Sequence, residues 1–197
     1  MSATLDEDLF CKYYTDACLI KIFGRTYPVE DEYATEDPEN YVDAAIAKTL
    51  EIHQSKQVGD ILVFLTGPDE INQAIKEVDA KIISSKPALL LPLHGKLNED
   101  ETQEVFNSID NGKRKIIFAT NVAETSITIH GIRHVIDSGM VKEVMWDSKR
   151  NMRALKIGYI TQSSAIQRRG RAGRTDSGKV RKYCFISNFD IDFCHIL

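Results

Sequence analysis

The sequence predicts an α/β domain in which a mostly parallel β-sheet is covered by helices on both faces. Short, continuously apolar segments alternate along the chain with segments whose apolar residues recur at helical spacing. Strands that are apolar throughout are typical of parallel sheets, because the connecting helices bury both of their faces. With 197 residues, 43% of them hydrophobic, the chain is long enough for one such domain but too short for two of ordinary size.

The first elements are expected to be a strand, a linker and a helix. An apolar run at residues 19–23 predicts the strand, and the acidic residues around Glu30 then indicate a linker. Asp37-Pro38 is a suitable helix start, since Asp can cap free N–H groups and Pro is tolerated at the first helical position. The apolar face of this helix is formed by Val42, Ala45, Ile46 and Leu50.

From residue 60 onward, strands and helices alternate. Continuous apolar segments predict strands at 61–65, 88–93, 116–119 and 134–136, with amphipathic helices at 71–82 and 105–109. Asn98 and Glu101 have the spacing of a capping box in front of the second helix. Residues 140–160 depart from this rhythm. Alternating apolar residues on either side of a basic tip at 147–151 predict an added β-hairpin.

The charges are unevenly distributed along the chain. Residues 1–110 carry 9 Lys and Arg against 22 Asp and Glu, whereas residues 111–197 carry 16 against 7. Because phosphate binding depends on local charge, contacts with a polyanion are expected mainly from the C-terminal half. Two differently charged surfaces that only keep the protein in solution would give the same pattern.

Composition argues against membrane, zinc and disulfide classes. No apolar run approaches the roughly 18 residues needed to cross a bilayer, so no membrane contact is expected. The four cysteines lie near the two ends of the chain, without the paired spacing of a zinc site or the density of a disulfide scaffold. Structural thiols in a nuclear or cytoplasmic protein, with no metal site in this chain, are the resulting prediction.

The most informative segment is residues 167–174, Gln-Arg-Arg-Gly-Arg-Ala-Gly-Arg, here called the arginine segment. Two glycines would weaken a simple surface helix by about 1 kcal/mol each, whereas they let the backbone approach a ligand closely. Arg suits bidentate phosphate contact, and Arg171 and Arg174 would project in the same direction from one helical turn. We predict phosphate binding or charge stabilisation in phosphoryl transfer. The alternative is a solvated basic helix end.

Other polar residues follow predicted strands. Hydroxyl and amide side chains are dense at residues 120–128, and Thr66-Gly67 and His94-Gly95 follow two further strands. Such junctions meet at the carboxyl edge of a parallel sheet, where α/β folds place ligands; helix capping or a simple turn is the alternative for each. No G-x-x-x-x-G-K-[ST] and no D-E-x-H segment occurs, so this chain does not supply the main phosphate cradle or the metal-binding carboxylate.

Four segments resemble motifs III to VI of the DEAH-box RNA helicases of superfamily 2, in the family's order. They are Ser2-Ala3-Thr4, Phe64-Leu65-Thr66-Gly67, the run T-N-V-A-E-T-S at 120–126, and the arginine segment. The resemblance covers nearly the whole chain. It implies that residues 38–197 form a RecA-like, P-loop-NTPase-type three-layer domain with an added hairpin. Residues 1–37 would then be the end of a first RecA-like domain and a linker.

The resemblance also implies roles for individual residues. Gln167 would position the attacking water, and Arg171 and Arg174 would act as arginine fingers. Nucleotide contacts are implied for Ser126, Thr128, His130 and Phe106, and RNA contacts for Thr66, Gly67, Thr120 and Lys142. Phe106 either stacks on adenine or belongs to the core. His130 stands where the family usually has an Asp that helps hold the ribose, so nucleotide affinity or base selectivity is expected to differ.

The implied function is part of an ATP-dependent RNA helicase that moves 3′ to 5′. ATP and Mg²⁺ would be held mainly by the first RecA-like domain, and this chain alone is expected to be inactive. Its partners would be RNA, that first domain, and a helicase activator or complex partners, in the nucleus or cytoplasm. The competing hypothesis is a non-catalytic, helicase-derived module that binds RNA or another protein.

Overall fold

The computed structural model describes residues 11–14, 18–20, 27–36, 38–55, 57–83, 86–107, 113–124, 128–174 and 176–182. Within these ranges the strands are β1 (Val29–Tyr33), β2 (Asp60–Phe64), β3 (Ala88–Leu93), β4 (Arg114–Ala119), β5 (Ile132–Asp137), β6 (Met140–Asp147), β7 (Met152–Tyr159) and β8 (Gly178–Lys182). The helices are α1 (Tyr41–Gln54), α2 (Pro68–Lys81), α3 (Glu99–Phe106) and α4 (Gln162–Arg169), with a 3₁₀ turn at Asn121–Glu124. No helix in this described part is long and apolar enough to cross a membrane.

Six strands form one parallel sheet in the order β1-β8-β5-β2-β4-β3. The central strands β2, β4 and β5 are almost entirely buried, which is why each contains a run of consecutive apolar residues. The α/β fold predicted from the sequence is therefore confirmed. The sheet places the ends of β2, β4 and β5 side by side at its carboxyl edge.

Each face of the sheet has its own hydrophobic core. Ile61 and Val63 of β2 pack in a cluster covered by α1 and α2, whereas Leu62 and Phe64 pack in a cluster with α3 and the 3₁₀ turn. Successive strand residues point to opposite faces, so one strand serves both clusters. Ala172 of the arginine segment belongs to the second cluster, which places that segment on the same face as α3 and the 3₁₀ turn.

Two adjacent basic residues of β4 bind helix ends on opposite faces of the sheet. Arg114 Nη1 donates to the carbonyl of Ile52 near the end of α1, at 2.7 Å. Lys115 Nζ donates to the carbonyls of Val105 and Asn107 at the end of α3, at 2.8 and 3.2 Å. The last carbonyls of a helix lack partners within it and carry negative partial charge, so these cations satisfy them. Both charges serve the fold rather than a polyanion.

The helix starts were predicted with mixed success. The capping box of α3 is present, with Glu101 N donating to Asn98 Oδ1 at 2.8 Å and Asn98 N donating to Glu101 Oε2 at 3.0 Å. The start at Asp37-Pro38 is wrong, because α1 begins at Tyr41. Asn40 is its cap, since its extended backbone lets Oδ1 accept from Val42 N at 2.9 Å.

The linker assignment is wrong for residues 29–33, which form β1 and pair in parallel with β8. The apolar pattern predicts neither strand. The pair is stabilised by opposite charges: Lys179 bonds Glu30 at 2.7 Å, Arg181 bonds Glu32 at 2.9 Å and Lys182 bonds Asp31 at 2.9 Å. Part of the charge asymmetry between the two halves of the chain is thus explained by a contact inside the domain. The proposed boundary at residue 37 stays a prediction.

The predicted hairpin is confirmed as the antiparallel pair β6 and β7, which turns at Asn151 with a left-handed φ of 50°. Little of the hairpin packs against the domain: Val141 of β6 is buried, whereas most of the other hairpin residues are exposed. Strand alternation places five exposed apolar side chains on one face: Val144, Trp146, Leu155, Ile157 and Tyr159.

Candidate functional site

The arginine segment begins as the last turn of α4 and continues as a tight turn. The helix is capped by Thr161, whose Oγ1 accepts from Ser164 N at 3.1 Å, and it ends at Arg169. Beyond it, Arg171 N donates to Arg168 O at 3.1 Å and Ala172 N donates to Arg169 O at 3.2 Å. The expectation that Arg171 and Arg174 share one helical turn is therefore wrong, although both side chains reach the same connection between β4 and β5.

Arg168 lies at the centre of the site with its side chain fully buried. Its Nε donates to Glu124 Oε1 and its Nη1 to Asp137 Oδ1, both at 2.7 Å, and its guanidinium also donates to Met140 O at 3.2 Å. The guanidinium carbon lies 4.8 Å from the centre of the Phe64 ring, within range of a cation-π contact. One side chain therefore joins the arginine segment to the ends of β2 and β5, the 3₁₀ turn and the base of the hairpin.

Arg171 is also buried, and its Nη2 donates to the backbone carbonyl of Glu124. Burial, with a further contribution from the nearby positive charge of Arg174, lowers the pKa of Arg171 to about 10. The shift is expected where a cation loses water and has a second cation close by. An anion bound beside the two guanidinium groups would oppose both effects.

Arg174 is the exposed member of the pair. Its Nη1 donates to Thr128 Oγ1 at 2.7 Å, so the structure brings together a predicted arginine finger and a predicted nucleotide-binding residue. Gln167 is half-buried on α4, with Nε2 at 3.5 Å from Ser163 Oγ. Ser126 lies outside the described residues. The observed arrangement is one anchored and one solvent-facing guanidinium against the connection that follows the 3₁₀ turn.

The residues predicted to contact RNA gather at the carboxyl edge of the sheet. Thr66 and Gly67 follow β2, and Thr120 follows the neighbouring β4, where its N–H donates to Leu93 O at 3.0 Å. Thr66 N donates to Glu70 Oε2 at 3.0 Å, and Gly67 caps α2. Lys142 of the hairpin joins them, because its Cδ lies 3.9 Å from the position that a Cβ at Gly67 would take.

The other two predicted nucleotide residues lie elsewhere. His130 is exposed and precedes Gly131, whose φ is +90° and whose carbonyl accepts from Asp60 N at 2.9 Å. That bond fixes the turn at the amino edge of the sheet. Phe106 is the last residue of α3 and packs with partial exposure against the second core cluster. Partial burial agrees with the core interpretation and leaves part of the ring accessible.

Sequence reasoning missed the side chains that hold this site together. Arg168 and Glu124 belong to the quoted motifs but were given no individual role. Asp137 was given no role either, although its Oδ1 accepts from both Arg168 Nη1 and Gly139 N. The available signal was the position of Asp137 at the end of an apolar strand. Among the described residues, no group of three or more His, Cys, Asp or Glu side chains could hold a metal ion.

Comparison with known proteins gives one family and several relatives. The sequence profile described as the helicase conserved C-terminal domain matches residues 43–176. An Arabidopsis thaliana protein named ATP-dependent RNA helicase DEAH12, chloroplastic, is 40% identical over 199 residues, which is 96% of this chain and 11% of that protein. A Schizosaccharomyces pombe protein named pre-mRNA-splicing factor ATP-dependent RNA helicase prp22 is 42% identical over 182 residues, which is 90% of this chain and 16% of that protein.

Solved structures agree with this result. The DExH-box NTPase HrpB of E. coli superposes with a TM-score of 0.84 at 32% sequence identity, over 97% of this chain and 23% of that protein. A second structure, described as the Escherichia coli DEAH/RHA helicase HrpB, gives a TM-score of 0.85 at 33% identity. The chain therefore spans less than a quarter of the length of each of the two relatives and of the two HrpB chains, which are covered to 11%, 16%, 23% and 24% respectively.

Proposed function

We propose a role in ATP-dependent RNA unwinding for this protein. The chain belongs to the helicase conserved C-terminal domain family and has the RecA-like fold of the family's DEAH-box members. The observation that carries the proposal is the pair formed by Arg171 and Arg174. One guanidinium is buried and fixed to Glu124 O, while the other is exposed and bonded to Thr128. Paired cations of this kind suit the charge of a triphosphate.

The nucleotide would be shared between this domain and another one. No P-loop sequence occurs in the 197 residues, and in this proposal the main phosphate cradle and the Mg²⁺ ligands would come from a first RecA-like domain. ATP would supply the phosphoryl group whose transfer to water releases the free energy for unwinding. Arg174 would contribute its exposed charge, Arg171 would act from its fixed position, and Gln167 would hold a water by its amide. Ser126 and Thr128 would contribute hydroxyl groups to nucleotide binding.

RNA would bind at the carboxyl edge of the sheet. Thr66, Gly67 and Thr120 follow adjacent strands there, and Lys142 adds a positive charge beside Gly67. Hydroxyls and Lys are suited to sugar and phosphate contacts, which carry no sequence information. The proposal is therefore movement along RNA without base recognition by this domain.

Arg174→Ala in the full-length protein tests the role in hydrolysis. RNA-stimulated ATP turnover should fall by roughly 10³-fold or more, as for the loss of an arginine finger, while ATP binding persists. Arg174 is exposed, so the thermal midpoint should not change, which makes it a cleaner test than the buried Arg171. Lys76→Ala, at an exposed position of α2 outside both proposed sites, is the control and should retain turnover. Turnover within tenfold of wild type in Arg174→Ala would reject the proposal.

The competing hypothesis is a non-catalytic module that binds RNA or a protein. It is favoured by His130, which stands in place of the usual Asp and is exposed in the turn before β5. The intact arginine segment argues against it. A full-length protein that binds RNA but shows no RNA-stimulated ATP turnover would decide for the module.

A further inference from the structure

The arginine segment is attached to β1 and to the chain just before it, at two points that lie on either side of Arg171. On one side, Arg169 Nε donates to Asp31 Oδ2 and Arg169 Nη2 donates to Val29 O, both at 2.7 Å. On the other side, Tyr27 N donates to Gly173 O at 3.1 Å. Arg171 therefore cannot move relative to the sheet without changing contacts with the chain that enters the domain.

The second contact leaves no room for a side chain. A Cβ at Gly173 would lie 2.7 Å from Val29 Cγ2 and 2.8 Å from Tyr27 O, closer than van der Waals contact allows. The glycine thus permits backbone to pack directly on the chain before β1. This close packing explains why position 173 is a glycine without any contact with phosphate.

Asp31 divides its carboxylate between two cations with different attachments. Oδ2 accepts from Arg169 of the arginine segment, and Oδ1 lies 2.9 Å from Lys182 Nζ of β8. The two ion pairs lower the pKa of Asp31 against the opposing effect of its partial burial. The Asp31 carboxylate therefore links β1 both to the arginine segment and to β8, and the two links can be broken separately.

We propose that Arg169 is a positioning residue which couples strand β1 to the arginine segment through Asp31 and Val29 O. The position of the chain entering the domain is thereby transmitted to Arg171 and Arg174. This inference rests on the proposed function, because it concerns how the arginines of that site are held. Arg169 itself points away from them, toward β1, and it needs no contact with nucleotide.

The test compares Arg169→Gln with Lys182→Gln in the full-length protein. Both substitutions remove one cation from Asp31, and a merely structural role predicts the same effect for both. The proposal predicts that Arg169→Gln lowers kcat for ATP about tenfold with KM within twofold, since small displacements of a catalytic group reduce rate strongly. Lys182→Gln should leave kcat within twofold of wild type. Equal kcat values for the two variants would overturn the proposal.

A double-mutant cycle and an exchange measurement complete the test. Asp31→Asn combined with Arg169→Gln should be no slower than Arg169→Gln alone, because both break the same link; additive losses would contradict the pair. In nucleotide-free protein, the amides of Arg171 and Ala172 should exchange hydrogen faster in Arg169→Gln than in Lys182→Gln, and equal rates would also count against the coupling.

Loss of turnover in Arg174→Ala with normal kcat in Arg169→Gln would reject this inference alone. Retained turnover in Arg174→Ala would reject the proposed function first.

Discussion

The arginine segment and the β6–β7 hairpin are both basic regions of the C-terminal half, and they are built in opposite ways. In the segment, Arg168 is fully buried between two carboxylates, and Arg169 is bonded to β1. In the hairpin, Lys142 and the tip at 148–151 are exposed, and five large apolar or aromatic side chains face solvent. The two regions meet at Met140, whose carbonyl accepts from Arg168 at the base of the hairpin.

This difference teaches that a basic sequence is not a measure of accessible charge. A buried Arg must be matched by carboxylates or carbonyls, because an unpaired charge in the interior is very costly. Exposed charges on a hairpin contribute little to stability but stay available for a ligand. We therefore expect substitutions of the buried arginines of the segment, Arg168 and Arg171, to affect folding and activity together, and those in the hairpin to affect binding alone.

The largest effect on stability should come from Arg168→Ala. The substitution leaves Glu124 and Asp137 without their buried cation, and the free energy of unfolding should fall by about 3–5 kcal/mol. Urea unfolding of the chain followed by circular dichroism measures this loss. A change below about 1 kcal/mol would mean that the ion pairs are not buried as observed, and the contrast with the hairpin would disappear.

Acid should destabilise the chain by a smaller amount, through a second buried polar contact. His134 Nε2 lies 2.9 Å from Val58 O, and burial lowers the pKa of His134 from 6.5 to about 4. Its neutral form is fully favoured in the fold above pH 6.5. As the pH falls from 6.5 toward 4, the unfolded state takes up the proton first and stability is lost.

Between pH 7 and pH 5 this loss should amount to about 2 kcal/mol, measured as a shift in the urea midpoint at each pH. His134→Gln, which can donate to Val58 O but does not titrate, should flatten that dependence. The same slope in the variant would assign the acid sensitivity to other groups, such as Asp31, whose pKa is lowered by its ion pairs with Lys182 and Arg169 against the opposing effect of burial.

The smallest effect on stability is expected for Lys142→Ala in the hairpin. The free energy of unfolding should change by less than about 0.5 kcal/mol. RNA affinity should fall, and the slope of log affinity against log salt concentration should decrease in magnitude by about one. Lys81→Ala is the control, since Lys81 ends α2 while Gly67 caps its start, about 20 Å away along the helix. Equal salt slopes for Lys142→Ala and wild type would remove Lys142 from the RNA-binding surface.

The sequence predicted well those elements whose burial is expressed in a local pattern. The strands β2, β3, β4 and β5 are apolar over consecutive residues, and the capping box of α3 lies within four residues. It failed at β1 and β8, because their pairing joins residues about 150 positions apart through opposite charges. It also failed at the start of α1, because the capping role of Asn40 depends on its extended backbone, which the local sequence does not show.

The candidate site divides along the same line. Residue types and order alone determined the arginine segment, the polar residues after the strands and the family to which they belong. Only the tertiary structure decided which arginines are anchored and which is exposed, because Arg168, Glu124 and Asp137 come from three separate parts of the chain. Burial and ion pairing depend on neighbours in space, and the local sequence does not contain them.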